Sequence, residues 1–321
     1  MNSKKITNIK NNRIDFRNAF FDQIYEISKK NKRIVFLTAD ISAYSLPKFK
    51  KKFPKKFYNV GIAEQGMINI ASGMAMNEKK VFIFSMIPFL TMRCYEHIKI
   101  NICSHNLPVV MVGLGSGLSY DTVGHSAQAI FDIGVMRMLP ELSIYNPSDS
   151  ISAGEICHVV SKLKNPSYVR LDKSQQPQIY SKTTTFKENF KLISNNSKNC
   201  IITTGVMVHK ALKIKELLAK FKISVTILDL YKIKPIDEKK FIKTISKFKE
   251  IAILDENTFS GGISSLISEI LIKANINKKF NFFTLKNSQD VGNYGSREWL
   301  HKRNGLDNDT LVKKIKKIFK K

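Results

Sequence analysis

The sequence predicts an α/β protein of two units, each built on a mostly parallel sheet covered by helices. Three observations predict it. Short apolar runs alternate with segments of helical period from residue 15 to residue 171. The periodicity fades across residues 173–190, a polar stretch with Gln175-Gln176-Pro177 and Thr183-Thr184-Thr185. The alternation then resumes over a shorter span. The expected boundaries are 1–175 for the first domain, 176–190 for a linker and 191–321 for the smaller second domain.

Residues 15–31 read as a helix with Phe16, Phe20, Ile24 and Ile27 on one face and Asp15 as cap. Ile34 to Thr38 is an apolar run of buried-strand type. Residues 48–56 read as a basic loop broken by Pro47 and Pro54. Tyr58-Asn59-Val60 breaks at Gly61, and a helix follows with Met67, Ile70, Ala71 and Met74 at helical spacing. Val81-Phe82-Ile83-Phe84 is a strand. Pro88-Phe89-Leu90 leads into a helix through Tyr95, Ile98 and Ile102. Residues 108–112 form a strand that opens into Gly113-Leu114-Gly115-Ser116-Gly117. A helix around Ile133, a strand at 142–145, a helix over 151–163 and a strand at 168–171 complete the first unit. In the second unit strands are expected at 201–203, 225–228, 251–254 and 282–285. Helices are expected near 207–220, 238–247, 263–274 and 309–320.

Composition narrows the class. The chain has 321 residues, 43% of them hydrophobic, and no apolar run of membrane-span length. Met1-Asn2-Ser3-Lys4-Lys5 leads into no apolar signal core, so a cytoplasmic location is expected. Cys94, Cys103, Cys157 and Cys200 form no CxxC, which fits reduced thiols. The net charge of +27 is nearly all lysine, spread along the chain without an arginine strip or a nucleic-acid module. It reads as a solvated surface, and nucleic acid is not the expected partner.

The chemistry-bearing residues are few. Glu64 stands where a strand ends and a helix begins, the usual ligand edge of an open α/β sheet. Two roles fit it there: an acid/base group, or a charge complementing the helix N-terminus. The glycine loop lacks the dinucleotide spacing and reads first as a tight turn. The histidines have no metal-ligand spacing, and there is no GxSxG elbow.

The block from Phe57 to Gly66 (Phe-Tyr-Asn-Val-Gly-Ile-Ala-Glu-Gln-Gly) resembles the thiamine-diphosphate enzymes of the transketolase family. So do Pro88-Phe89-Leu90, Leu107-Pro108-Val109-Val110, Phe131-Asp132 and Asn146-Pro147-Ser148-Asp149. The deoxyxylulose-phosphate synthase branch of that family is similar too. Residues 229–237, Asp255-Glu256-Asn257, Gly261-Gly262, Arg297-Glu298 and Gly305-Leu306-Asp307 resemble the family's C-terminal domain. The likeness covers almost the whole chain from about residue 14.

The resemblance implies a pyrimidine-binding domain followed by the C-terminal domain. The Gly-Asp-Gly motif that holds Mg²⁺ and the diphosphate in family members is missing. It therefore implies a split enzyme, with Mg²⁺ and diphosphate held by an N-terminal partner subunit and an α2β2 assembly through a contact between two copies of this chain. The expected reaction is transfer of a two-carbon ketol unit between (phospho)sugars. Glu64 is expected to share a proton with N1′ of the aminopyrimidine, favouring the imino tautomer that deprotonates the thiazolium carbon. Phe89 is expected to stack on the pyrimidine, with Ile62 and Met92 beside it. Met92 stands where some members carry a second aromatic. Ala127 and Gln128 occupy the place of a His pair common in sugar-transferring relatives, and His125 is a substitute acid/base group or substrate ligand. Arg170 and Lys173 resemble positions that meet a substrate phosphate, or form a solvated strand end. Two other functions stay open: a subunit of a 2-oxo acid decarboxylating enzyme, and a non-catalytic subunit.

Overall fold

The structure, a computed structural model, describes residues 14–194, 197–286 and 294–320. The N-terminal stretch read above for targeting lies outside them. The first unit runs β1 (Ile14–Asp15), α1 (Phe16–Lys30), β2 (Ile34–Thr38), α2 (Leu46–Lys52), β3 (Phe57–Asn59), α3 (Glu64–Met76) and β4 (Lys80–Met86). It continues through α4 (Ile87–Thr91), α5 (Tyr95–His97), β5 (Val109–Leu114), α6 (Asp132–Arg137), β6 (Ser143–Tyr145), α7 (Ser150–Lys162), β7 (Ser167–Leu171) and β8 (Gln175–Gln176). Then come β9 (Lys191–Ile193), β10 (Asn199–Thr203), α8 (Met207–Ala219), β11 (Thr226–Asp229), β12 (Lys232–Lys234) and α9 (Glu238–Ile245). The chain closes with β13 (Glu250–Thr258), α10 (Ile263–Lys273), β14 (Phe280–Leu285), α11 (Arg297–Arg303) and α12 (Asn308–Phe319).

Two sheets carry the fold. The larger has the order β12-β6-β7-β5-β4-β2-β3, parallel except where β12 meets β6. The smaller runs β14-β13-β10-β11-β9, with only β9 antiparallel. This is the predicted pair of α/β domains. Every residue of β2, β5 and β7 is buried, as expected for strands covered on both faces. Asp15 caps α1 by accepting from the Arg17 backbone N–H at 2.8 Å. Among the described residues no helix is long and apolar enough to cross a membrane.

Several elements differ from expectation. The basic stretch after Pro47 is helical: Pro47 lies in the first turn of α2, where its fixed φ favours a helix start. The helix expected through Ile102 is broken into α4, α5 and a π turn at Ile98–Cys103. Strand β12 completes the first domain's sheet although it lies beyond residue 190 in the chain.

The two units are joined by buried charge. Arg297 donates to both oxygens of Asp172, at 3.1 and 2.9 Å, and to Glu256 Oε1 at 2.7 Å. Its Nη2 also pairs with Glu256 Oε2. Glu256 reaches the glycine loop as well, accepting from the Leu118 N–H at 3.3 Å. A β-carbon on Gly117 (φ +57) would collide with Glu256 Oε2, so only glycine lets the two units meet here. The loop is thus a turn pressed against the second domain.

Asp229, at the end of β11, is a further buried acid of this interface. It accepts from Ser148 Oγ (2.6 Å) and Tyr180 Oη (2.7 Å), while Oδ1 has no partner among the described residues. Burial pushes its carboxyl up from 3.8 to about 7. The stability contributed by the protonated form is therefore complete below pH 3.8 and lost as pH rises through 7. Asp229→Asn mimics that form. It is expected to stabilise the chain by on the order of 2 kcal/mol at pH 8 and by almost nothing at pH 4, read from urea melts at the two pH values.

Candidate active site

The carboxyl ends of β2, β3, β4, β5 and β7 share one edge of the large sheet, and strand order reverses direction there: β3 flanks β2 on one side and β4 on the other. Such a switch point leaves a crevice at the strand ends. Asn59 shapes its floor. Its Oδ1 accepts from the N–H groups of Asp40 (3.0 Å) and Gly61 (3.1 Å), and Gly61 takes φ +74. This bend turns the chain from β3 into α3 and makes Glu64 the first helical residue.

Glu64 is only 3% exposed. Its Oε1 accepts from Ser85 Oγ at 3.2 Å, at the end of β4. Its Oε2 accepts from Arg93 Nη1 at 2.9 Å. The same guanidinium lies over the Phe89 ring, with Cζ 4.3 Å from the centroid. Phe89, half-buried on α4, therefore faces Glu64 across one planar cationic group. That seat, a carboxylate opposite an aromatic face, fits an aminopyrimidine: a flat ring with a nitrogen that shares a proton. Ile62, 78% exposed, and Met92 are large apolar side chains left at the surface on either side of these residues in sequence.

The other predicted residues are placed differently. His125 is exposed in the loop after β5, following Gly124, which packs under the Tyr294 ring. Ala127 and Gln128 are buried, and Gln128 Nε2 has no hydrogen-bond partner among the described residues. Lys173 is exposed at the end of β7 with Nζ 4.6 Å above the Tyr120 ring. Arg170 overturns its expectation. It is 2% exposed, bonded to Asp132 at 2.5 and 2.9 Å and to the Ala129 carbonyl, with Tyr168 Oη on the same carboxylate at 2.6 Å. Its guanidinium is consumed by the core and is not presented to a phosphate. Among the described residues no group of three or more His, Cys, Asp or Glu could hold a metal ion. Ser85 and Arg93 were missed by sequence reasoning. Arg93 lies four residues after Phe89 on a helical path, but nothing local ties it to Glu64, 29 positions earlier.

Comparison with known proteins matches residues 12–178 to the transketolase pyrimidine-binding domain and residues 189–311 to the transketolase C-terminal domain. A putative transketolase C-terminal section from Methanocaldococcus jannaschii is 30% identical over 95% of this chain and 96% of its own length. A subunit of an apulose-4-phosphate transketolase from Actinobacillus succinogenes is 29% identical over 92% of this chain and 95% of its own. A 1-deoxy-D-xylulose-5-phosphate synthase from Clostridium tetani is 27% identical over 95% of this chain but 49% of its own. A solved structure described as a split-gene transketolase, inactive β4 tetramer, superposes with TM-score 0.85 at 26% identity, over 96% of this chain and 99% of that one. This chain belongs to the transketolase family, as a relative of the C-terminal subunits of split transketolases.

Proposed function

We propose that this chain is the C-terminal subunit of a thiamine-diphosphate-dependent enzyme that transfers a two-carbon ketol unit between (phospho)sugars. The observation that carries this reading is the buried Glu64 carboxylate set across a planar seat from Phe89. When bound, thiamine diphosphate supplies the thiazolium carbon on which the two-carbon unit is carried. Glu64 shares a proton with N1′ of the aminopyrimidine, and Ser85 holds the carboxylate in place. Phe89 stacks on the ring, and Ile62 and Met92 keep water from its rim. His125 moves a proton at the sugar oxygen, and Lys173 meets the substrate phosphate as a point charge. An N-terminal partner subunit holds Mg²⁺ and the diphosphate. Residues 176–190 join the two domains, and the protein works in the cytoplasm.

Its relatives support the split, since this chain spans nearly all of the apulose-4-phosphate transketolase subunit and about half of the synthase. The exposed flank of α3 supports a contact between two copies and hence an α2β2 assembly. Ile70 is exposed there, and Gly73 leaves open space beside it. The test is to mix the chain with a partner carrying the Gly-Asp-Gly motif and follow transfer from a ketose phosphate to an aldose phosphate. Transfer that requires thiamine diphosphate is the expected result. Release of carbon dioxide from pyruvate would instead support a decarboxylating enzyme, and no cofactor-dependent turnover a non-catalytic subunit.

A further inference from the structure

We infer that Arg93 is a plug: in the free subunit its guanidinium fills the aminopyrimidine seat, and it must swing out before cofactor can enter. This rests on the reading of Glu64 and Phe89 as that seat. Both oxygens of Glu64 are engaged, one by Ser85 Oγ and one by Arg93 Nη1. The ring face of Phe89 is covered by the same guanidinium. A flat delocalised cation that donates to a carboxylate while stacking on an aromatic makes the two contacts expected of the aminopyrimidine. The two occupants therefore exclude each other.

The surroundings allow the side chain to move while its backbone stays put. The Arg93 carbonyl accepts from Gln65 Nε2 at 3.1 Å, and its N–H donates to the Pro88 carbonyl at 3.3 Å. Cys94 Sγ donates to the Phe89 carbonyl at 3.3 Å, tying the same turn. The Arg93 side chain is 44% exposed, whereas Glu64 is 3% exposed. Arg93 can thus take its charge into water, and Glu64 cannot follow. The plug also has a reason to exist. Without it the unassembled subunit would carry a buried carboxylate with no counter-charge.

Occupation of the seat by Arg93 lowers the apparent affinity for any ring by the fraction of time the seat is closed. The probe is 4-amino-5-hydroxymethyl-2-methylpyrimidine, the bare ring, titrated into the full chain alone by ligand-observed NMR. Arg93→Met is expected to bind it about tenfold or more tightly than wild type. It should also lower the melting temperature of the free chain. Arg93→Lys keeps the charge without the flat fork and serves if the methionine variant fails to fold. It is expected to bind several-fold more tightly than wild type. Binding no tighter than wild type in these variants would overturn the plug. Adding Glu64→Gln to each background separates the two claims. Equal binding by wild type and Arg93→Met that is lost with Glu64→Gln would leave the Glu64 contact standing without the plug. Binding indifferent to Glu64→Gln would remove both.

Discussion

Glu64→Gln is expected to lower two-carbon transfer by the assembled enzyme about 10²- to 10⁴-fold, the range of a positioned acid/base group. Glutamine keeps the size and still accepts from Ser85, but it cannot exchange a proton with a ring nitrogen. The loss should therefore fall on the rate at saturating substrate and spare the substrate's KM. Melting of the free chain should change little, because the substitution removes a buried charge along with its ion pair to Arg93. Full activity in the variant complex would end the assignment of Glu64. A loss accompanied by unfolding would reduce it to a helix-end charge. Steady-state kinetics with a melting curve on the same preparation distinguishes these outcomes.

Arg297→Met is expected to cost about 3–5 kcal/mol, the usual effect of stripping one partner from a buried ion pair. Asp172 and Glu256 would remain buried with no guanidinium between them, and His301, 2.5 Å from Glu256 Oε1, would be left as the hydrogen-bond partner of Glu256 on that side. The Arg297 guanidinium holds both carboxyls below their ordinary range, outweighing the upward push of burial. Acids with lowered values contribute stability that is present above their unfolded values of 3.8 and 4.5 and is lost as pH falls below them. The gap between wild type and Arg297→Met should thus be widest near pH 7 and shrink towards pH 3. Urea unfolding at several pH values measures it. Glu256 also holds the glycine loop, so the variant should loosen the segment that carries His125. This dependence runs opposite to that of Asp229, whose buried acid weakens the fold as pH rises.

Much of this architecture was legible because buried parallel strands advertise themselves as unbroken apolar runs, as in residues 34–38 and 109–112. Strand β12 was not, since Lys-Ile-Lys is three residues long and finds its partner, β6, from another domain. Pro47 looked like a breaker because proline stops a helix in its interior and starts one in its first turn, and only the helical residues after it decide between the two. The places of Glu64 at the start of α3 and of Phe89 on α4 were readable because each lies at a strand–helix junction in a recognisable motif. Arg170 misled because a charge at a strand end ordinarily faces water. Its partner Asp132 lies 38 positions earlier and is joined to it only by the fold. Arg93 was hidden for the same reason. Short-range patterns carry secondary structure, whereas pairings of buried charge are written in tertiary contacts.

Calorimetric titration of thiamine diphosphate with Mg²⁺ tests the half-site most directly. It is run on this chain alone, on its partner alone and on the two together. The expected result is binding by the assembled pair only, one cofactor per pair, greatly weakened by Glu64→Gln. Tight binding of the whole cofactor by this chain alone, or binding by the pair that is unaffected by Glu64→Gln, would contradict it.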